Sequence, residues 1–236
     1  MAINKQTLKT RALTALIFVL VMFAGLFINQ WTFIALFTII MFGCLYEFNK
    51  IIKLINGKKY FFYLPIAFVY IILPIILMID LGLNGTLYIH DKDKLNPAEA
   101  GYAALLPCTI IFSIWINDTM AYLVGSMIGK TPFSKISPKK TWEGTLGGTV
   151  LCIVSMSLLG HNSESGKILS YANWFFIALI CAVFGTMGDL FESKLKRMAN
   201  IKDSGMIMPG HGGFLDRFDS LLVATPVVWL YIRFFL

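Results

Sequence analysis

Residues 102–126 read YAALLPCTIIFSIWINDTMAYLVGS, a run in which Asp118 is the only charged residue. As a helix rising about 1.5 Å per residue, such a run spans the roughly 30 Å of a bilayer's hydrocarbon. Helix is the form expected, because backbone groups in lipid must be satisfied within their own segment. The run also carries a polar exception. An aspartate near the centre of a spanning helix costs about 2.5–3.5 kcal/mol on insertion scales, so Asp118 is expected to face a protein partner or a bound cation rather than lipid. Asn117 and Thr119 place further oxygen ligands or hydrogen-bonding groups beside it.

Six more apolar runs flank this one, at about 12–29, 31–47, 61–84, 144–160, 171–190 and 218–236. The chain is 57% hydrophobic and only 14% charged, with a mean hydropathy of +0.73. Soluble domains average roughly 25% charged residues. The expected fold is therefore an all-α polytopic integral membrane bundle of about seven transmembrane helices, or eight to nine if spans are split. The first run has the basic start and apolar core of a signal peptide, but it is long and lacks a small-x-small cleavage site. It is expected to be a retained helix. Cys44, Cys108, Cys152 and Cys181 all fall in apolar runs without CxxC spacing, so packing thiols are expected rather than a zinc site or a disulfide framework.

The net charge of +7 suggests nucleic acid until the cations are placed. With the N-terminus in the cytoplasm, 16 of the 20 Lys and Arg fall on the inner side. They form the groups Lys5–Arg11, Lys50–Lys59, Lys130–Lys140 and Lys194–Arg217. Every loop then obeys the positive-inside rule, and the excess charge serves topology and phosphate attraction. No nucleic-acid partner is expected. The segments at 127–143 and 191–217, rich in Gly, Pro, Lys and Ser, place the active-site loops on the cytoplasmic face. Residues 1–100, where Glu47 is the only acid between Ala12 and Ile79, are expected to be scaffold helices. Residues 101–236, which hold most of the other acids, are expected to form the catalytic region.

Three constellations there suit phosphate chemistry. In Gly129-Lys130-Thr131 the ending of a phosphate loop is present, but Val124 stands where that pattern needs glycine. The adjoining SPKKTWEG at 137–144 still offers two ammonium groups and two hydroxyls on a proline-fixed turn. Asp189, Glu192 and Ser193 are spaced i, i+3 and i+4 and should share one helical face, as should Asp216 and Asp219. Hard carboxylate donors without paired His or Cys favour Mg²⁺. Lys194, Lys196, Arg197, Lys202 and Arg217 supply charge for phosphoryl oxygens. His211, between glycines, is a candidate phosphate donor or acid–base group.

The segment SKLKRMANIKDSGMIMPGHGGFLDRFDS at 193–220, with Asn117-Asp118 and SPKKTWEG, closely resembles the signature of the phosphatidate cytidylyltransferase (CDP-diacylglycerol synthase) family over roughly residues 100–220. The resemblance implies that the cytidylyl group of CTP is transferred to phosphatidic acid, giving CDP-diacylglycerol and pyrophosphate, with Mg²⁺ required. Asp189 and Asp216 would be the metal ligands, and Asp219, Lys202, His211 and Arg217 would complete the catalytic set. Asn117, Asp118, Ser137, Lys139, Lys140, Thr141 and Glu143 would bind CTP, and Lys196 and Arg197 phosphatidate. It further implies a second cation such as K⁺, a homodimer, and a multi-pass place in the inner (plasma) membrane. Two other readings stay open. One is a CTP-dependent polyprenol or dolichol-type lipid kinase, attacking the γ-phosphate. The other is an ion-coupled transporter lined by Asp118, Asp189 and Asp216.

Overall fold

The computed structural model describes residues 5–89, 101–163, 165–207 and 212–236. Eight α-helices occur among the described residues: α1 (Lys5–Phe27), α2 (Gln30–Asn56), α3 (Leu64–Ala67), α4 (Leu73–Ile89), α5 (Leu105–Ile128), α6 (Trp142–Asn162), α7 (Tyr171–Met198) and α8 (Leu215–Phe235). A π-helical turn at Phe68–Ile72 joins α3 to α4. Among the described residues the only β-type pairing is an isolated bridge between Pro132 and Thr141. Five helical stretches are long and apolar enough to cross a membrane: Gln30–Ile89, Leu105–Ile128, Trp142–Asn162, Tyr171–Met198 and Leu215–Phe235. The first of these reverses at Gly57–Tyr63, because α4 lies back against α2. At the contact a Cβ on Gly82 would fall 2.4 Å from the ring of Phe33. The chain is a helical membrane protein.

Polar side chains start three of the long helices. Asn29 Oδ1 accepts from Trp31 N and Thr32 N to open α2, Thr141 Oγ1 accepts from Gly144 N to open α6, and Ser170 Oγ accepts from Asn173 N to open α7. The start of α8 is different. Its N-cap is Phe214, which has no side chain able to accept.

Close helix contacts rely on small residues, since apolar side chains gain little by leaving lipid for one another. Ala121 and Gly125 on α5 face Gly144 and Gly148 on α6, and a Cβ on Gly148 would sit 2.7 Å from Ala121 N. On α7, a Cβ at Gly188 would fall 2.4 Å from the Asp219 carbonyl of α8. Helices α5, α6 and α8 all pack against α7. Phe33, Phe37, Phe48 and Ile71 fill the interior, while Trp31, Phe42, Phe62 and Phe235 point outward as a lipid-facing surface requires. Cys44, Cys152 and Cys181 are buried free thiols, as expected.

Two boundaries differ from the hydropathy reading. Helix α2 continues to Asn56, so Lys50 and Lys53 lie on a helix rather than in a loop, and α7 continues to Met198, two turns past the end of its apolar run at residue 190. In α7 the polar residues stay helical because their charges are met: Glu192, fully buried, pairs with Lys196 one turn on in the same helix, and Lys196 with Asp216 of α8.

Candidate active site

A cavity of about 530 Å³ opens where the C-terminal half of α5, the 129–141 loop and α7 converge. Asn117 and Asp118 form one wall, Asp189 another, and Ser137, Lys139, Lys140 and Thr141 the loop side. The loop is held from both ends. Phe133 N donates to Lys140 O at 2.8 Å and Trp142 N to Thr131 O at 3.0 Å, and the rings of Phe133 and Trp142 meet edge to face. Glu143 fastens the near strand of the loop. Its carboxylate accepts from Lys130 N at 3.2 Å, Thr131 N at 3.1 Å and Thr131 Oγ1 at 2.8 Å. So held, Lys140 forms an ion pair with Asp189 across the cavity, and Ser193 Oγ donates to the other Asp189 oxygen at 3.2 Å. Asn117 Oδ1 is buried and has no hydrogen-bond partner among the described residues.

A second polar centre lies at the start of α8. Asp216 Oδ1 accepts from Lys196 Nζ at 2.6 Å, and the same ammonium group meets Glu192 Oε2 at 2.5 Å. Asp216 Oδ2 accepts from Ser204 N and Gly213 N, each at 2.8 Å, and shares the one Ser204 hydroxyl hydrogen, at 2.9 Å, with Glu47 Oε2 at 2.6 Å. Gly212 has a φ of +83°, and a Cβ there would fall 2.5 Å from Asp216 Oδ2, so glycine is required on two counts. Asp219 is buried and accepts from Ser220 N at 2.7 Å. The close approach of α7 and α8 at Gly188 puts it in electrostatic range of Asp189 and Asp118.

The donor chemistry fits a hard cation. Asp118, Asp189 and the unpartnered Asn117 Oδ1 offer oxygens around one cavity, next to ammonium groups suited to phosphate. Among the described residues no group of three or more His, Cys, Asp or Glu is gathered as a ligand cage. Mg²⁺ ordinarily uses one or two carboxylates and completes its shell with waters and substrate phosphates.

A model described as the cytidylyltransferase family matches residues 93–235 of this 236-residue chain, taking in both polar centres. The chain belongs to the cytidylyltransferase family. Its relatives include proteins named phosphatidate cytidylyltransferase from Bacillus subtilis, 43% identical over 123 residues (52% of this chain, 45% of the relative), and Helicobacter pylori, 44% identical over 121 residues (51% and 44%). One from Thermotoga maritima is 36% identical over 141 residues (58% and 52%). The chain matches about half the length of these relatives.

Within this cytidylyltransferase-family chain the sequence-derived set divides in two. Asn117, Asp118, Ser137, Lys139, Lys140, Thr141 and Asp189 line one cavity, while Lys196 and Asp216 meet at the second centre with Ser204. Glu143 is not among the cavity's lining residues and serves as the loop's clasp. Arg197 Nη1 donates to Ile201 O at 3.5 Å beyond the end of α7, and Lys202 is exposed on the following loop. Arg217 lies in the first turn of α8. His211 lies outside the described residues. Asp189 and Glu192, expected to share one helical face, take different partners: one pairs with Lys140 and the other with Lys196. The residue that sequence reasoning missed is Glu47. Placed with the scaffold, it reaches Ser204, Phe214 and Leu215. The available signal was a lone acid in an otherwise apolar half, for which burial in lipid demands a partner.

Proposed function

We propose that this chain transfers the cytidylyl group of CTP to phosphatidic acid, releasing pyrophosphate, at the cytoplasmic face of the inner membrane. The observation carrying this reading is the cavity lined by Lys139, Lys140, Asp118 and Asp189, with Lys140 paired to Asp189, at one end of a membrane bundle. Family membership and the names of the relatives support it. The volume lies within the roughly 300–1,000 Å³ of small-molecule sites. An amphiphilic acceptor arrives from the bilayer and a nucleotide from water, so a polar cavity among helix ends serves both.

In this reaction a phosphate oxygen of the lipid attacks the α-phosphorus of CTP. A new P–O bond forms, the bond from the α-phosphorus to the α,β-bridging oxygen breaks, and pyrophosphate leaves with the electron pair. No protein nucleophile is needed. Lys139 and Lys140 hold the triphosphate, with Ser137 and Thr141 as hydroxyl donors. Lys196, Arg197 and Lys202 attract the lipid phosphate. Asp189 would hold Mg²⁺ with Asn117 and Asp118 as neighbouring oxygen donors, and Asp216, of the second centre, would join it by exchanging its Lys196 partner for the ion. That ion, when bound, offsets charge on the phosphate oxygens and the leaving group. Seven membrane crossings, an N-terminus in the cytoplasm and a homodimer complete the proposal.

The test is product analysis with purified protein, phosphatidic acid and CTP labelled at the α- or γ-phosphorus. Label from the α-position should appear in the lipid and γ-label in pyrophosphate. Transfer of the γ-label to a lipid, with release of CDP, would instead establish the kinase reading.

A further inference from the structure

Glu47 lies in α2, outside the region matched by the family model, and is 1% exposed. Its described partners are all neutral donors: Phe214 N at 3.0 Å on Oε1, and Leu215 N at 2.9 Å and Ser204 Oγ at 2.6 Å on Oε2. The first two are orphan amides at the start of α8, the helix that lacks a cap of its own. A carboxylate at that end meets both the donors and the helix dipole. The third donor is the link to the site. Ser204 Oγ lies 2.6 Å from Glu47 and 2.9 Å from Asp216 Oδ2, and accepts from Asp216 N at 3.3 Å. The surrounding backbone is shaped for this carboxylate, since a Cβ on Gly205 or Gly213 would fall 2.1–2.2 Å from a Glu47 oxygen.

Burying a carboxylate is costly unless its donors repay the lost hydration. Fastening α2 to α8 alone could be done by apolar packing. What apolar packing cannot do is fix the orientation of another carboxylate one hydroxyl away. We propose that Glu47 is the positioning residue for Asp216: through Ser204 and the first turn of α8, a helix of the N-terminal half sets the direction in which Asp216 presents its oxygens. The inference rests on Asp216 as a cation-holding carboxylate. Partners of metal ligands at this remove typically change metal affinity 10–100-fold when lost.

Mn²⁺ binding in the presence of CTP, followed by electron paramagnetic resonance on detergent-purified protein, tests this without turnover. Glu47→Gln keeps the size of the side chain and one acceptor oxygen. Ser204→Ala leaves the Glu47 contacts to Phe214 and Leu215 intact, so it serves even if the first variant folds poorly. Each should weaken Mn²⁺ binding by about 10-fold, and the double variant should be little worse than either, because both break one connection. If Asp216→Asn weakens Mn²⁺ binding while Ser204→Ala and Glu47→Gln bind as the wild type does, Glu47 is a fastener only and the proposal fails. If Asp216→Asn itself binds Mn²⁺ normally, the cation assignment beneath the proposal is what fails.

Discussion

Asp189 and Lys140 show how one contact can serve two states. A carboxylate and an ammonium group facing each other across a polar cavity partly cancel, which holds the loop over the site while no triphosphate is present. On the proposed reading, phosphate oxygens would compete for Lys140 and a cation for Asp189, so that binding would exchange one ion pair for two. On this argument Asp189→Asn removes the charge a cation needs but keeps the side chain's shape. It should lower kcat by about 10²–10³-fold, the usual effect of losing one group that stabilises a transition-state charge, with the detergent melting temperature little changed. Near-normal synthesis would refute the assignment. Lys139 is exposed on the same loop and pairs with no acid among the described residues. Lys139→Ala should raise KM for CTP about 10-fold with kcat nearly constant, the signature of lost uniform binding, and an effect on phosphatidic acid alone would move that lysine to the lipid. At this scale the pairing was legible: carboxylates and lysines in an apolar chain must meet partners, and Lys140 and Asp189 meet each other, with Asp118 lining the same cavity. Glu47 was not legible as part of the site. Its partners lie 157–168 positions away, and no local spacing encodes them.

The helices meet closely only where side chains are absent. Ala121 and Gly125 opposite Gly144 and Gly148 let α5 and α6 approach so that the 129–141 loop between them is short and fixed. That geometry places Asn117 and Asp118 under Lys140. Gly148→Val would drive a Cβ to 2.7 Å from Ala121, and overpacking of this kind costs about 1–3 kcal/mol. The detergent melting temperature should fall by about 5 °C, with a rise in KM for CTP as α5 moves off the loop. Gly101→Ala is the control, since a Cβ there meets nothing within 4 Å. Equal melting temperatures for the two variants would show that the α5–α6 approach is not limiting. The existence of the long helices was legible from hydropathy, because lipid leaves the backbone no alternative. Their cytoplasm-side ends were not. Hydropathy stops where charges begin, yet Glu192 and Lys196 of α7 neutralise each other inside the bundle and the helix runs on to Met198.

Across the molecule the two ends differ in kind. One end gathers the 129–141 loop, the end of α7 and the start of α8, with the charged centres described above. Away from it, Asp80 ties α4 to α8 by accepting from Trp229 Nε1 at 2.6 Å, with Tyr88 and Asn84 also donating, and Arg233 lies over the Tyr88 ring. That cluster is closed on itself. If the positive-inside rule governs orientation, the basic end is cytoplasmic, where CTP is available, and the 163–170 connection faces outward. The native thiols make this testable: Cys44, Cys152 and Cys181 are buried, and Cys108→Ser removes the half-buried fourth. In that background, Ser163→Cys should react with a membrane-impermeant maleimide added to intact spheroplasts. Lys135→Cys, exposed on the loop over the cavity, should react only after the membrane is opened or in inside-out vesicles. The reverse pattern would put the site on the side without CTP, and would overturn the proposed location together with the reaction assigned to it.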